Sequence, residues 1–482
     1  MIRIKNSGCN TLTKGKRLLL LTGAVFLNCF GFAQDSIPRT LSADQLVNLV
    51  RSYHPMAKKA LLSIERARAG QLSARGVFDP VLSGSFGAKQ FDGTRYYNYE
   101  TTDLDIPLWF GLTASAGIAR LDGNRLPIEE TSGRTGYAGL DWEVTQSILL
   151  DKRRAALRSA NIILEQSIFE QQLALNDLLK ESLFQYWEWV TYYLTWQTLE
   201  QALRANEKRL EWVRQMIAVG ELAAIDSTEA RAQWQYFRTQ SEQAQLQWQQ
   251  ASLELSVFLW TNDQTPYQLP YEIRPDEKSM MLLATPDSDL PSLDSLYLQI
   301  NNHPKLQQYR QQLKLLDIRR KLQFQDILPK INLQYRQMTK GYEFWKSASM
   351  PLLDDNFQYG IKMSIPIRMS AARGAFRSTR IVIQQTELDQ IQTQADLRAK
   401  LGAFYAASLT WKNQITLLND NRAQYEQLLA SEEVKFNNGE SSLFIVNNRE
   451  IRALDARISV IKAISSYQRS LVSLQWSLAG LN

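Results

Sequence analysis

Two hydrophobic patterns alternate along this chain, and each occurs twice. Strict period-two alternation sets Ile331, Leu333 and Tyr335 against Asn332, Gln334 and Arg336, which predicts a strand with one apolar and one polar face. The spacing returns over Phe357, Tyr359, Ile361, Met363 and Ile365, with Gln358, Gly360, Lys362 and Ser364 between them. In the first half it runs through Leu82, Gly84, Phe86 and Ala88, and again through Ala138, Leu140, Trp142 and Val144 opposite Gly139, Asp141, Glu143 and Thr145. Each half therefore predicts at least one strand pair. The first half is longer here, since Pro80 to Gly220 spans 140 positions and Pro329 to Gly439 spans 110. The excess holds a further alternating run, Leu112, Ala114, Ala116 and Ile118, and the aromatic group Tyr96, Tyr97, Tyr99, Trp109 and Phe110. Residues 92–134 read equally as an additional hairpin or as an external loop.

The second pattern is helical. From Asp151 to Trp260 there is no proline and a single glycine, Gly220, in a segment rich in Leu, Gln, Glu, Ala and Arg. Apolar residues recur at three and four through Trp189, Tyr193, Trp196, Leu199, Leu203, Leu210, Val213 and Ile217, an ordinary core stripe. One helix from Asp151 to Ala218 would contain 68 residues and reach roughly 100 Å. That length points to a coiled coil or a helical repeat. The second half matches it, proline-free from Ile367 onward with Gly439 as the corresponding break.

The two halves share a plan. His54-Pro55 opens a helical stretch that runs toward Pro80, and His303-Pro304 does the same toward Pro329, with 25 residues between the prolines in both cases. Proline suits the first turn of a helix, where its missing N–H is not needed, so Pro55 and Pro304 are read as the helix starts of the repeat. These are the only two histidines in the chain. A shared helix entry explains their duplication, whereas a metal or catalytic pair needs them to converge with further ligands.

Composition adds exclusions. The 482 residues are 44% apolar and 22% charged, ordinary for a folded chain. Arg3, Lys5, Lys14, Lys16 and Arg17 precede the apolar run Leu18 to Phe32, and Gly31-Phe32-Ala33 offers a small-residue cleavage site: a secretory signal peptide over 1–33. Its removal takes five basic residues and no acidic one, so the formal charge falls from +6 to +1 and nothing argues for a nucleic-acid partner. Both cysteines, Cys9 and Cys29, fall inside it, which leaves no disulfide or thiolate site beyond. No later segment approaches 18 uninterrupted apolar residues, so membrane insertion has to use strands. Zinc, P-loop, dinucleotide and nucleophile-elbow signatures are absent, and the chain is not read as an enzyme, nor as needing a cofactor or metal.

Two-faced strands need somewhere to put the apolar face. About four of them cannot enclose a pore, since single-chain membrane barrels begin at about eight strands. Several chains donating strands to one barrel would solve this, with lipid on the outside and no open edges. Long antiparallel helix pairs packed side by side would continue the barrel as a hollow wall.

At this point the residues resemble a known family. The signal peptide, the doubled order of helix, strand pair and long helical hairpin, the openers at Pro55 and Pro304, and the prolines before the strands look like the TolC-like outer membrane factors. The resemblance implies a mainly α fold with a small β part and a two-repeat protomer, long helical hairpins forming an α-barrel wall and strand pairs joining a trimeric transmembrane β-barrel. It divides the chain into a signal peptide (1–33), a first repeat (34–261), an equatorial connecting segment (262–295) with Pro266, Pro270, Pro275, Pro286 and Pro291, and a second repeat (296–482). It implies an outer membrane location reaching into the periplasm, and partners: outer membrane lipid, a periplasmic adaptor and an inner-membrane pump.

The family docks its adaptor at glycine turns on the periplasmic tip. Here that assigns Gly220, Glu221, Leu222, Ala223, Ala224 and Asp226 in the first copy, and Gly439, Glu440, Ser441, Ser442 and Leu443 in the second. A glycine at a helix C-terminus takes the left-handed conformation that ends it, and Asp226 is placed to cap the returning helix. One departure stands out. Where the family often carries an acidic residue six positions after the second tip glycine, this chain has Ile445, and a shifted alignment gives Asn447, which leaves closure to packing and to Glu440. The competing reading is a structural coiled-coil envelope protein whose strands pack on its own helices.

Overall fold

The computed structural model describes residues 40–125, 131–147, 150–276, 290–349, 351 and 353–481. The expected signal peptide, with Cys9 and Cys29, and residues 277–289 of the connecting segment lie outside the described residues. In chain order the elements are β1 (Thr40–Leu41), α1 (Ala43–Tyr53), α2 (Pro55–Arg75), β2 (Val81–Phe91), β3 (Thr94–Pro107), β4 (Leu112–Asp122), β5 (Gly133–Glu143), α3 (Val144–Ser147), α4 (Lys152–Ala218) and α5 (Ala224–Ser256). There follow β6 (Arg274–Pro275), α6 (Leu293–Ile300), α7 (Pro304–Gln325), β7 (Lys330–Lys340), α8 (Phe344–Ser349), β8 (Phe357–Ser364), α9 (Ser370–Asn437) and α10 (Leu443–Ser477).

The proline-opened helices begin where the sequence places them. His54 and His303 are the N-caps of α2 and α7, and each Nδ1 accepts the backbone N–H two residues on, at 3.1 Å. Each helix ends four or five residues before the next proline, at Arg75 and Gln325, earlier than the prolines alone suggest. In the first repeat a 3₁₀ turn over Gly76–Phe78 fills the gap.

The long helix predicted from Asp151 runs from Lys152, with Asp151 outside it as N-cap accepting from the Arg154 N–H at 2.7 Å. Its 67 residues reach about 100 Å, and α9 has 68. Each pairs over its C-terminal half with the shorter helix that follows it, α5 and α10, and α10 packs on α4 to join the hairpins. Nearer the sheet α2 and α7 flank α4, and α7 reaches α9.

The principal core lies around the middle of α4. Tyr186, Trp189 and Val190 of α4 are sealed against Trp248 and Leu255 of α5 and against Val460, Ile464 and Tyr467 of α10. Trp196 and Trp248 stack with centroids 4.9 Å apart, and Trp189 Nε1 donates to Ser252 Oγ at 3.0 Å, so the indole is buried without an orphan donor. The expected apolar stripe is therefore core: Trp189, Tyr193, Leu199, Leu210 and Val213 are buried. β1 and β6 pair in parallel beside it, and the Tyr186 hydroxyl donates to the Leu41 carbonyl at 3.0 Å.

Six strands form one antiparallel sheet in the order β2-β3-β4-β5-β7-β8. The expected number was about four. Segment 92–134 supplies the difference: an Asp92-Gly93 turn, both residues at positive φ, folds β2 onto β3, and Leu108–Gly111 returns the chain into β4. Val144, read as the end of a strand, starts α3.

Candidate functional site

The sheet has two chemically distinct faces. On one lie Leu82, Phe86, Leu104, Ile106, Leu140, Trp142, Leu333, Tyr335, Tyr359, Ile361 and Met363, following the ladder registers. Much of it faces no protein: Phe86 is 86% exposed and Ile361 70%. On the other face lie Ser83, Ser85, Thr101, Asp103, Asp105, Thr113, Ser115, Asp141, Gln334, Arg336, Gln358 and Lys362. There the Tyr137 hydroxyl donates to Asp103 Oδ1 at 2.5 Å, across the intervening strand β4, and the Arg336 guanidinium lies 4.8 Å over the Tyr137 ring. The bridge passes over Gly117, where a Cβ would sit 2.5 Å from that same Asp103 oxygen; only glycine leaves the space. Among the described residues neither sheet edge is paired: β2 and β8 each have one neighbour.

Aromatic rings gather where the sheet meets the helices. Phe78 and Trp109 pack at 4.8 Å, Trp142 Nε1 donates to the Phe110 carbonyl at 3.1 Å, and Arg154 lies 4.4 Å over the Phe110 ring. Trp109 and Phe110 remain exposed. A second aromatic group, Phe91, Tyr342, Trp345 and Phe357, stands exposed at the opposite end. Arg153 anchors α4 to the sheet by donating to the Leu112 carbonyl at 2.9 Å and to Thr113 Oγ1 at 2.8 Å.

The far end of the helices carries two turns of one design. Gly220 (φ +83°) and Gly439 (φ +79°) follow α4 and α9, and the next N–H reaches back to the carbonyl five residues earlier, Glu221 to Met216 at 3.0 Å and Glu440 to Lys435 at 2.9 Å. Asp226 accepts from the Ala223 N–H at 3.1 Å and so caps α5 from inside its first turn; Ser442 precedes α10. The assigned tip residues divide by exposure. Gly220, Glu221, Ala223, Ala224, Gly439, Glu440 and Ser442 face solvent, Asp226 and Ser441 are half-buried, and Ser441 Oγ donates to Glu432 at 2.5 Å. Leu443 is fully buried with Leu210, Val213 and Ala230, and Leu222 packs against them, so these two hold the tip together from within.

Three apolar residues beside the turns, not singled out from the sequence, stand exposed: Val219, Ile225 and Phe444, at 65–73%. The available signal was that they follow or precede a helix-ending glycine and lie off the core stripe. Ile445 is exposed as well, whereas Asn447 is buried and donates to Glu229 Oε1 at 3.3 Å. Behind the tip, Arg209 of α4 bridges Glu450 of α10 at 2.6 Å and Glu433 of α9 at 3.2 Å, and Asn206 donates to Glu450 at 3.0 Å.

Pro55 and Pro304 sit far along the helices, at their capped starts. Burial lowers the pKa of both capping histidines, that of His303 to about 4. Among the described residues no cluster of three or more His, Cys, Asp or Glu is arranged to hold a metal, and no helix is long and apolar enough to cross a membrane.

Residues 296–480 match the family described as "Outer membrane efflux protein". No curated protein sequence matches the chain. Solved structures match nearly all of it in fold. The CmeC outer membrane channel of Campylobacter jejuni is 14% identical with a TM-score of 0.62, covering 91% of this chain and 85% of its own. The MtrE outer membrane channel of Neisseria gonorrhoeae in its open state is 13% identical with a TM-score of 0.64, covering 91% and 89%. The outer membrane protein VceC of Vibrio cholerae is 13% identical with a TM-score of 0.61, covering 91% and 96%. Residues 296–480 are thus similar in sequence to the outer membrane efflux proteins, and nine-tenths of the chain shares the fold of these outer membrane channels.

Proposed function

We propose that the chain is the outer membrane channel of a tripartite efflux or secretion system: a passive duct, formed by three copies, that crosses the outer membrane through a shared β-barrel and the periplasm through a helical wall. The observation that carries this is the six-stranded sheet, apolar on one side, polar on the other and open at both edges. A face bearing Phe86 and Ile361 in the open is stable against lipid and not against water. Strands of 8–14 residues suit the hydrocarbon thickness, which takes about 9–11 tilted residues. Aromatic rings at both ends correspond to the interfacial girdles of such barrels.

The tip is the adaptor-docking surface in this reading. Gly220, Glu221, Ala223, Ala224, Gly439, Glu440 and Ser442 offer exposed backbone and charge, joined by Val219, Ile225 and Phe444 as apolar contacts, while Leu222, Asp226, Ser441 and Leu443 hold the turns in shape. The exported cargo is set by the pump that the adaptor brings. Fractionation and conductance test the proposal together. The mature protein is expected in the outer membrane fraction, soluble only with detergent, and to open ion-conducting pores in planar bilayers. A stable, detergent-free monomer in the soluble periplasmic fraction would favour a structural coiled-coil protein without a pore.

A further inference from the structure

We infer that β8 of one copy pairs with β2 of the next, so that the barrel has eighteen strands, three copies of six, and the extra hairpin of the first repeat is part of the barrel wall. The inference rests on the three-copy reading above and specifies its seam. Three observations carry it.

The first is parity. The strands alternate in direction across the sheet, so β2 leaves the helices and β8 returns to them. A β8 beside a second copy's β2 is therefore antiparallel, like every other pair in the sheet. With an odd number of strands the seam would have to be parallel.

The second is facing. Val81, Ser83, Ser85 and Gly87 of β2 lie on the same face as Gln358, Gly360, Lys362 and Ser364 of β8. Setting Ser364 opposite the next copy's Val81, both at the helical end of the sheet, brings Gly360 opposite Ser85 and Gln358 opposite Gly87. Beyond the Ser364–Val81 pair at the helical end, polar or glycine positions then meet one another on one face, and Met363, Ile361, Tyr359 and Phe357 meet Leu82, Gly84, Phe86 and Ala88 on the other. A slip by one residue would turn an apolar row to the inside, so only even slips compete.

The third is geometry. Followed along the hydrogen-bonding direction, Val81 is level with Asp105, Ser115, Gly139, Arg336 and finally Gln358, at the opposite end of β8. The proposed seam thus advances the register by six residues for every six strands. With about 3.3 Å per residue and about 4.8 Å between strands, the strands tilt by about 35°. Closed barrels have tilts of about 35–45°, so this register closes without further distortion. Rings of 16–18 strands are also of the size that leaves an aqueous channel. The alternative, in which β2 and β3 stand outside a narrower ring, requires breaking the ten-residue ladder between β3 and β4.

Cysteine cross-linking tests the seam in the full-length protein purified from outer membranes, since no cysteine follows Cys29. In one chain Ser85 and Gly360 are at opposite edges of the sheet, too far apart to join. The double variant Ser85→Cys/Gly360→Cys is expected to give two- and three-copy species on non-reducing gels, lost on reduction and absent from both single variants. Ser115→Cys/Gly360→Cys is expected to stay unlinked. If native mass shows three copies and only the second pair cross-links, the eighteen-strand seam is overturned and the channel reading stands. Three copies with neither pair linked also overturns the seam. A single copy by native mass overturns both.

Discussion

At the scale of single residues, the two histidines show how a side chain that suggests chemistry can be explained by backbone needs. An imidazole whose Nδ1 accepts a backbone N–H must be neutral at that nitrogen, and burial of His303 reinforces this by lowering its pKa to about 4. The unfolded chain takes up a proton near pH 6.5, which the folded chain refuses until about pH 4. The stabilisation is therefore complete above about pH 6.5 and is lost as the pH falls toward 4, by on the order of 3 kcal/mol. His303→Asn, which keeps a capping oxygen and removes the titration, is expected to show a smaller loss of unfolding midpoint between about pH 7 and pH 4.5 than the wild type, measured by denaturant titration in detergent. The duplication of the His-Pro step was legible in the sequence; that the imidazole itself is the cap was not, because histidine is an uncommon N-cap and only the backbone geometry at residues 54 and 303 reveals the acceptor.

At the scale of elements, the tip turns and the charged bridge behind them make different demands. A Cβ at Gly220 or Gly439 would meet nothing within 4 Å, so the demand there is conformational. Gly439→Val is expected to cost about 1–2 kcal/mol, and Gly439→Asn, which tolerates positive φ, much less; a comparison of thermal unfolding midpoints checks this. The Arg209–Glu450 pair is largely buried, with side chains 17% and 10% exposed, whereas Glu433 is 46% exposed. Arg209→Met leaves Glu450 buried without its cation, with only Asn206 donating to it, and is expected to destabilise by about 3–5 kcal/mol, while Glu433→Gln costs about 1 kcal/mol or less. The ends of the long helices were legible to within a residue or two at Asp151, Gly220 and Gly439, since caps and glycines are local signals. The bridge was not, because Arg209 and Glu450 are 241 residues apart and nothing in either segment marks the other. The additional hairpin was half legible: Leu112 to Ile118 alternates clearly, but β3 mixes Tyr, Asn, Glu and Thr on both faces at its outer end, which hides the period.

At the scale of the whole molecule, the assignment of the two sheet faces is the most exposed to test. Ile361→Lys places a charge on the lipid side and is expected to cost about 2–4 kcal/mol near mid-membrane and to reduce the amount of folded protein recovered from the outer membrane. Gln358→Lys, three residues away on the polar side, is expected to insert normally and to change only the ion selectivity of the pore in bilayers. Docking belongs to this scale too: Ile225→Asp and Phe444→Asp are expected to abolish co-purification of the adaptor without altering assembly, since both side chains are exposed and clear of the core.

The unequal repeats also bear on symmetry. In the helical layer each half supplies one long hairpin, α4 with α5 and α9 with α10, so a ring of three copies repeats, to a first approximation, six times around its axis. In the sheet the first half supplies four strands and the second two, and the approximate sixfold order is reduced to a strict threefold one. A duct of three copies would then repeat three times around its axis in the membrane and nearly six times along its stalk.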